Sequence, residues 1–249
     1  MKMHVLNKGK EKTILLIHPM LANSDCMRLC IADYMKQDVQ FLMPNLNAHG
    51  DAMNMDYTSA KEEARMIYNY LIMNQIKTVE LGYGASLGGV VLFELLKYPD
   101  ITFNHVFFEG VSFFTNAKAI NLLLVKGFLK KQKKAMKKPD DLIKEMTKSY
   151  GEELAPVMVN QLTHASEETI RNIVHDCAFV DLPDLDKEIQ EKCVFAYGDA
   201  DPNLKEVKKV LPKKYPKAKL EIWKDYGHCE RVARDSKAYA KMLQSIIKD

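Results

Sequence analysis

The chain has 249 residues, 47% of them hydrophobic, with 36 Lys and Arg against 33 Asp and Glu and a net charge of +3. That size and composition can bury a large core and argue against disorder, while so small a net charge gives no reason to expect a nucleic-acid partner. Five cysteines, Cys26, Cys30, Cys177, Cys193 and Cys229, contain no CxxC pair and no His-Cys cluster at zinc spacing, which speaks against a disulfide scaffold or a zinc module and for a reducing compartment.

The charge is unevenly spread. Lys126, Lys130, Lys131, Lys133, Lys134, Lys137 and Lys138 follow one another with no acid between them, so the rest of the chain is acidic on balance. The opening MKMHVLNKGKEKT lacks the apolar core of a signal peptide, and no run reaches bilayer length. The expectation is a soluble, cytoplasmic protein with no membrane span.

Met3 to Leu6 reads as a short edge strand. Thr13 to His18, TILLIH, is a continuous apolar run of the kind a strand covered on both faces requires. The loop His18-Pro19-Met20-Leu21-Ala22-Asn23 leads to a helix predicted near Asp25 to Met35, and Val39 to Met43 is a second buried strand. Ser59 and Glu62 have capping-box spacing, and Ala64, Ile67, Tyr68, Leu71 and Ile72 fall on one helical face. Strand and helix thus alternate, as in a parallel sheet with helices on both sides.

The stretch TVELGYGASLGGVVLFELL, Thr78 to Leu96, repeats that alternation with a difference. Val79, Leu81 and Tyr83 alternate as a strand would, and Val90, Val91, Phe93, Leu95 and Leu96 are dense enough for a buried helix. Between them Gly84-Ala85-Ser86-Leu87-Gly88 forms a sharp corner, where only small residues on either side let strand and helix pass closely. Taken alone, such a corner also fits a tight turn whose serine merely caps the helix. His105 to Glu109 is the next strand. From Ser112 to Leu182 the pattern is helical: Ala117 to Lys138, a second helix after Pro139, and a third opened by Ser166, Glu167 and Glu168. Alternation resumes at Cys193 to Tyr197, a helix near Leu204 to Val210, strand Leu220 to Trp223, and a closing helix with Tyr239, Met242, Leu243, Ile246 and Ile247 on one face.

A serine hydroxyl is a weak nucleophile at neutral pH, so Ser86 needs a base and an orienting acid. Gly198-Asp199-Ala200-Asp201-Pro202 and Asp225-Tyr226-Gly227-His228 each follow a strand, where open parallel sheets place their sites. Ser86, Asp201 and His228 also occur in the chain order Ser, Asp/Glu, His.

With these motifs the sequence resembles the serine-type α/β-hydrolases over nearly its whole length. The resemblance implies a mostly parallel α/β sheet, in a core of residues 1–111 and 183–249, with residues 112–182 inserted as a helical lid. It implies Ser86 as nucleophile, His228 as base and Asp201 as acid. The family's His-Gly oxyanion dipeptide corresponds to His18-Pro19, with Pro19 replacing glycine; the backbone NH of Met20 and that of Leu87 are the implied donors. The family's Pro-Gly-His-Gly-x-Ser loop resembles Asn47-Ala48-His49-Gly50-Asp51. Asp199 and Glu109 compete for the acid's place, since each follows a strand. His18 and His49 are expected to brace loops, and Cys229 to be a buried structural thiol. The implied reaction is hydrolysis of an ester, amide or thioester of a small acyl substrate without metal or organic cofactor. Acyl transfer, carbon-carbon cleavage, elimination or ligand binding without turnover are the alternatives on the same scaffold. Apolar residues between Ile120 and Leu129 are expected to line the acyl pocket, and the lysines to face solvent, with contact to an acidic substrate or a membrane as the alternative.

Overall fold

In the computed structural model, which describes residues 1–35 and 38–247, a seven-stranded sheet is ordered β1-β3-β2-β4-β5-β6-β7. The strands are β1 (Lys2–Leu6), β2 (Lys12–Ile17), β3 (Val39–Asn45), β4 (Thr78–Ala85), β5 (Thr102–Glu109), β6 (Cys193–Gly198) and β7 (Lys219–Trp223). β1 runs antiparallel to β3, and all other pairs are parallel. β2 shows why its sequence is apolar without alternation. Leu15 and Ile17 enter one buried layer, Ile14 and Leu16 the opposite one, and all four are fully buried.

On one face of the sheet lie α2 (Ala60–Met73), α3 (Leu87–Leu95) and α8 (Leu204–Lys214); on the other lie α1 (Ser24–Cys30) and α10 (Ser236–Ile246). The Ser59 hydroxyl caps α2 by accepting from the Glu62 amide at 3.2 Å, as its spacing predicts. The single helix expected from Asp25 to Met35 is interrupted. Ile31 leaves helical geometry at φ −127°, and a 3₁₀ turn covers Ala32–Tyr34.

Between β5 and β6 the chain forms α4 (Lys118–Lys137), α5 (Pro139–His164), α6 (Glu167–Ala178) and the short α7 (Lys187–Glu191). α5 is bent at Gly151, whose φ of 79° and ψ of 170° lie outside the helical region. α4 to α6 share an apolar cluster of their own, built on Val125, Leu142, Met146, Leu162 and Ile170, into which Leu21 reaches from the loop after β2. α6 is tied to the sheet domain by polar contacts: the Asp176 carboxylate accepts from the Tyr57 hydroxyl at 2.7 Å and the Ala60 amide at 2.6 Å. Among the described residues no helix is long and apolar enough to cross a membrane.

β2 has β3 on one side and β4 on the other, so the direction of winding reverses there. Crevices at the C-terminal ends of strands at such a reversal are where open α/β sheets hold ligands. The loop with Met20 and the corner with Ser86 follow these two central strands.

Candidate active site

Ser86 adopts φ 49° and ψ −112°, a left-handed conformation that costs a side-chain-bearing residue energy. The turn holds because its amide donates to the Glu109 carbonyl at 2.8 Å and because β4 and α3 touch. A Cβ on Gly84 would sit 2.5 Å from the Gly88 carbonyl oxygen, and one on Gly88 only 2.2 Å from that of Ile17. Small residues are therefore a steric requirement of the corner. Ser86 stands at the N-terminal boundary of α3 without its side chain capping the helix. Its hydroxyl instead lies 2.9 Å from His228 Nε2.

On the far side of the imidazole, His228 Nδ1 is 2.9 Å from Asp201 Oδ2. The other carboxylate oxygen of Asp201 accepts from the Asn203 amide at 2.8 Å, and the Asp201 side chain is wholly buried, whereas that of His228 keeps 31% exposure. Burial opposes charge on His228. The Cys229 sulfur and the Asp201 carboxylate outweigh it, and the pKa is raised well above the usual histidine value. Burial pushes Cys229 itself up to about 11, so near neutrality it stays a thiol and Asp201 is the anion that favours the imidazolium.

Hydrogen bonding distinguishes Asp201 from its rivals. Glu109 is buried, its carboxylate accepting from the hydroxyls of Tyr83 at 2.8 Å and Tyr239 at 2.6 Å. Burial raises its pKa against the pull of those two donors. Asp199 accepts from the Asp225 amide at 3.0 Å and so braces the loop leading to His228. Neither hydrogen-bonds to His228 among the described residues.

His18 and His49 brace loops. His18 Nδ1 donates to the Pro19 carbonyl at 2.8 Å while Nε2 accepts from the Leu46 amide at 3.1 Å, which fixes its tautomer. His49 Nδ1 donates to the Asn47 carbonyl at 2.9 Å. Burial lowers their pKa values to about 3 and about 4, so both are neutral near pH 7. Pro19 is joined to Met20 by a trans peptide. Its carbonyl accepts from both His18 Nδ1 and the Ala22 amide, and in a trans peptide the Met20 N–H then points the opposite way. The Met20 and Leu87 amides donate to no protein acceptor among the described residues; Leu87 opens α3, where amides lack intrahelical partners.

Three contributors escaped the sequence reading. Gly110 has φ 60°, and a Cβ there would meet His228 Nδ1 at 3.0 Å and Asp201 Oδ2 at 3.1 Å. A glycine directly after a strand was its only signal. Asn203 donates from Nδ2 to the Gly110 carbonyl at 2.9 Å, and Tyr150 donates to the His228 carbonyl at 3.2 Å. Both contacts join distant segments, and neither residue sits in a motif.

Ser86 and His228 open onto a cavity of about 480 Å³, within the size range of small-molecule sites. Met20, Ile120, Leu123, Leu124, Phe128 and Met158 contribute to its apolar wall, in line with the expectation for α4. The outward lysine face needs one correction: Lys131 lines the cavity as well as being exposed, because it follows Phe128 by three residues on the same helical stripe. Among the described residues no group of three or more His, Cys, Asp or Glu side chains is placed to hold a metal ion.

The fold and the serine corner define the α/β-hydrolase architecture, which solved structures share over nearly the whole chain. An esterase from Exiguobacterium antarcticum superposes with a TM-score of 0.75 at 14% identity, covering 99% of this chain and 95% of its own. A bromoperoxidase from Bacillus anthracis gives 0.75 and 14% over the same shares, and MenH from S. aureus gives 0.70 and 18%, covering 99% and 97%. At such identities the likeness carries the fold, and the fold hosts several chemistries. No protein-family model and no curated protein matches the sequence.

Proposed function

We propose that this chain is a serine hydrolase that cleaves an ester, or an amide or thioester, of a small apolar acyl substrate through an acyl-enzyme. The observation that carries the reading is the continuous hydrogen-bonded line Ser86–His228–Asp201 at the wall of an apolar cavity. Ser86 Oγ attacks the carbonyl carbon while His228 Nε2 takes its proton, then returns it to the leaving group; water repeats the sequence to release the acid. Asp201 keeps the Nδ1 proton toward itself and so presents Nε2 to the serine. The Met20 and Leu87 amides, without a protein acceptor among the described residues, donate to the oxyanion. Residues 112–182 act as the lid over the acyl pocket. The esterase named among the structural neighbours is consistent with this choice among the chemistries of the fold.

A fluorophosphonate probe and a panel of p-nitrophenyl esters test the proposal. Mass spectrometry should locate the adduct on Ser86, with ester turnover lost in proportion to labelling. Active protein labelled on another serine, or turnover that survives full labelling of Ser86, removes it as nucleophile.

A further inference from the structure

The cavity-facing stripe of α4 runs Ile120, Leu124, Phe128, Lys131, with spacings of four, four and three residues. Three apolar side chains are followed, one turn on, by an ammonium group. No Asp or Glu lines the cavity, and Lys131 makes no ion pair among the described residues. Its neighbour Lys134 is held by Glu145 at 2.5 Å, and Lys131 acts on that carboxylate only through its charge, more weakly than Lys134. Lys131 lines the same cavity as Ser86, His228 and Tyr150, whose hydroxyl donates to the His228 carbonyl.

An ammonium at the rim of an empty cavity is hydrated. A chain that fills the cavity displaces part of that water, and low-dielectric walls then strengthen the attraction to any anion the chain presents. We propose that the site selects acyl substrates of medium length whose chain ends in an anionic group, a carboxylate in the simplest case, which pairs with Lys131. The proposal deepens the hydrolase reading and rests on it for the reacting end of the molecule. It gives one lysine of the basic run a task the other six do not share.

The test compares mono-p-nitrophenyl suberate with p-nitrophenyl octanoate, equal in acyl length and different in the terminal charge. The readout is the ratio of their kcat/KM values. Lys131→Gln should lower that ratio about fivefold, the scale of a solvent-accessible ion pair, and high salt should lower the wild-type ratio in the same direction. Lys131→Arg should keep it, as should Lys133→Gln, which changes an exposed lysine outside the cavity lining. An unchanged ratio in Lys131→Gln, or an equal fall in Lys133→Gln, overturns the proposal. Should neither ester be turned over, the hydrolase reading fails by itself, and binding decides the inference. Calorimetry on Ser86→Ala protein should then show monomethyl suberate bound more tightly than dimethyl suberate, with the difference lost when Lys131→Gln is added. Equal affinities in the Ser86→Ala protein overturn it.

Discussion

The corner that carries Ser86 and the helix that carries Lys131 face the same cavity under opposite constraints. Around Ser86 the backbone is held by strand pairing and by contacts that leave no space for a single added methyl group. Around Lys131 the side chains belong to a helix with only Val125 and Ala135 buried, while Leu122 and Leu123 are 64% and 70% exposed. The comparison teaches that the sheet fixes the serine corner without slack, whereas the helix on the other side of the cavity leaves most of its side chains unpacked, which under the proposed function makes it the part that sets which chain fits.

The sharpest break of that comparison is Ser86→Ala. Ester turnover should fall by about 10⁶ in kcat with the protein still folded, since nucleophile loss removes the whole covalent route. Asp201→Asn should cost about 10⁴ in kcat by leaving His228 in the wrong tautomer, while Asp199→Asn and Glu109→Gln each cost much less. A crippling Glu109→Gln beside a mild Asp201→Asn would reverse the assignment of the acid. Gly88→Ala should destabilise the fold by about 3 kcal/mol in chemical denaturation, because its methyl group meets the Ile17 carbonyl.

The insert should answer differently. Leu124→Ala, at the cavity wall, should raise KM for longer acyl esters about three- to tenfold with kcat and unfolding midpoint nearly unchanged. A matching loss of kcat would mean that the insert also positions the reacting groups. The smallest effect to be read is a displacement of the pH profile. His228 acts as base only when neutral, and its pKa is raised, so the acid limb of kcat/KM should lie above pH 6.5 and activity should grow as pH rises through it. In the residual activity of Asp201→Asn the limb should move to lower pH, since the anion that favours the imidazolium is gone. A wild-type limb below 6.5 would contradict the raised value.

Much of the scaffold was legible because its constraints are local. A strand buried on both faces must be apolar throughout, as β2 is, and a corner without lateral room must use glycine at positions 84 and 88. Turn residues frame Asp201 and His228 for the same reason. The interruption of α1 at Ile31 and the short helices α7 and α9 (Glu230–Arg234) were not legible; at five residues, α7 and α9 show too little of the helical period.

The amino-acid order by itself determined the alternation of strands and helices, the serine corner, and the pairing of Ser86 with His228, whose hydroxyl and Nε2 lie 2.9 Å apart. Sequence favoured Asp201 by its turn but left Asp199 and Glu109 as competitors; tertiary structure is what sets Asp201 Oδ2 2.9 Å from His228 Nδ1. It turned Glu109 toward two tyrosines, set Gly110 against the imidazole, and brought one lysine of seven to the cavity. The physical reason is range. Backbone sterics and burial periodicity act over a few residues and are written in adjacent letters, whereas the direction of a carboxylate or an ammonium depends on what packs against it from 26 to 142 positions away.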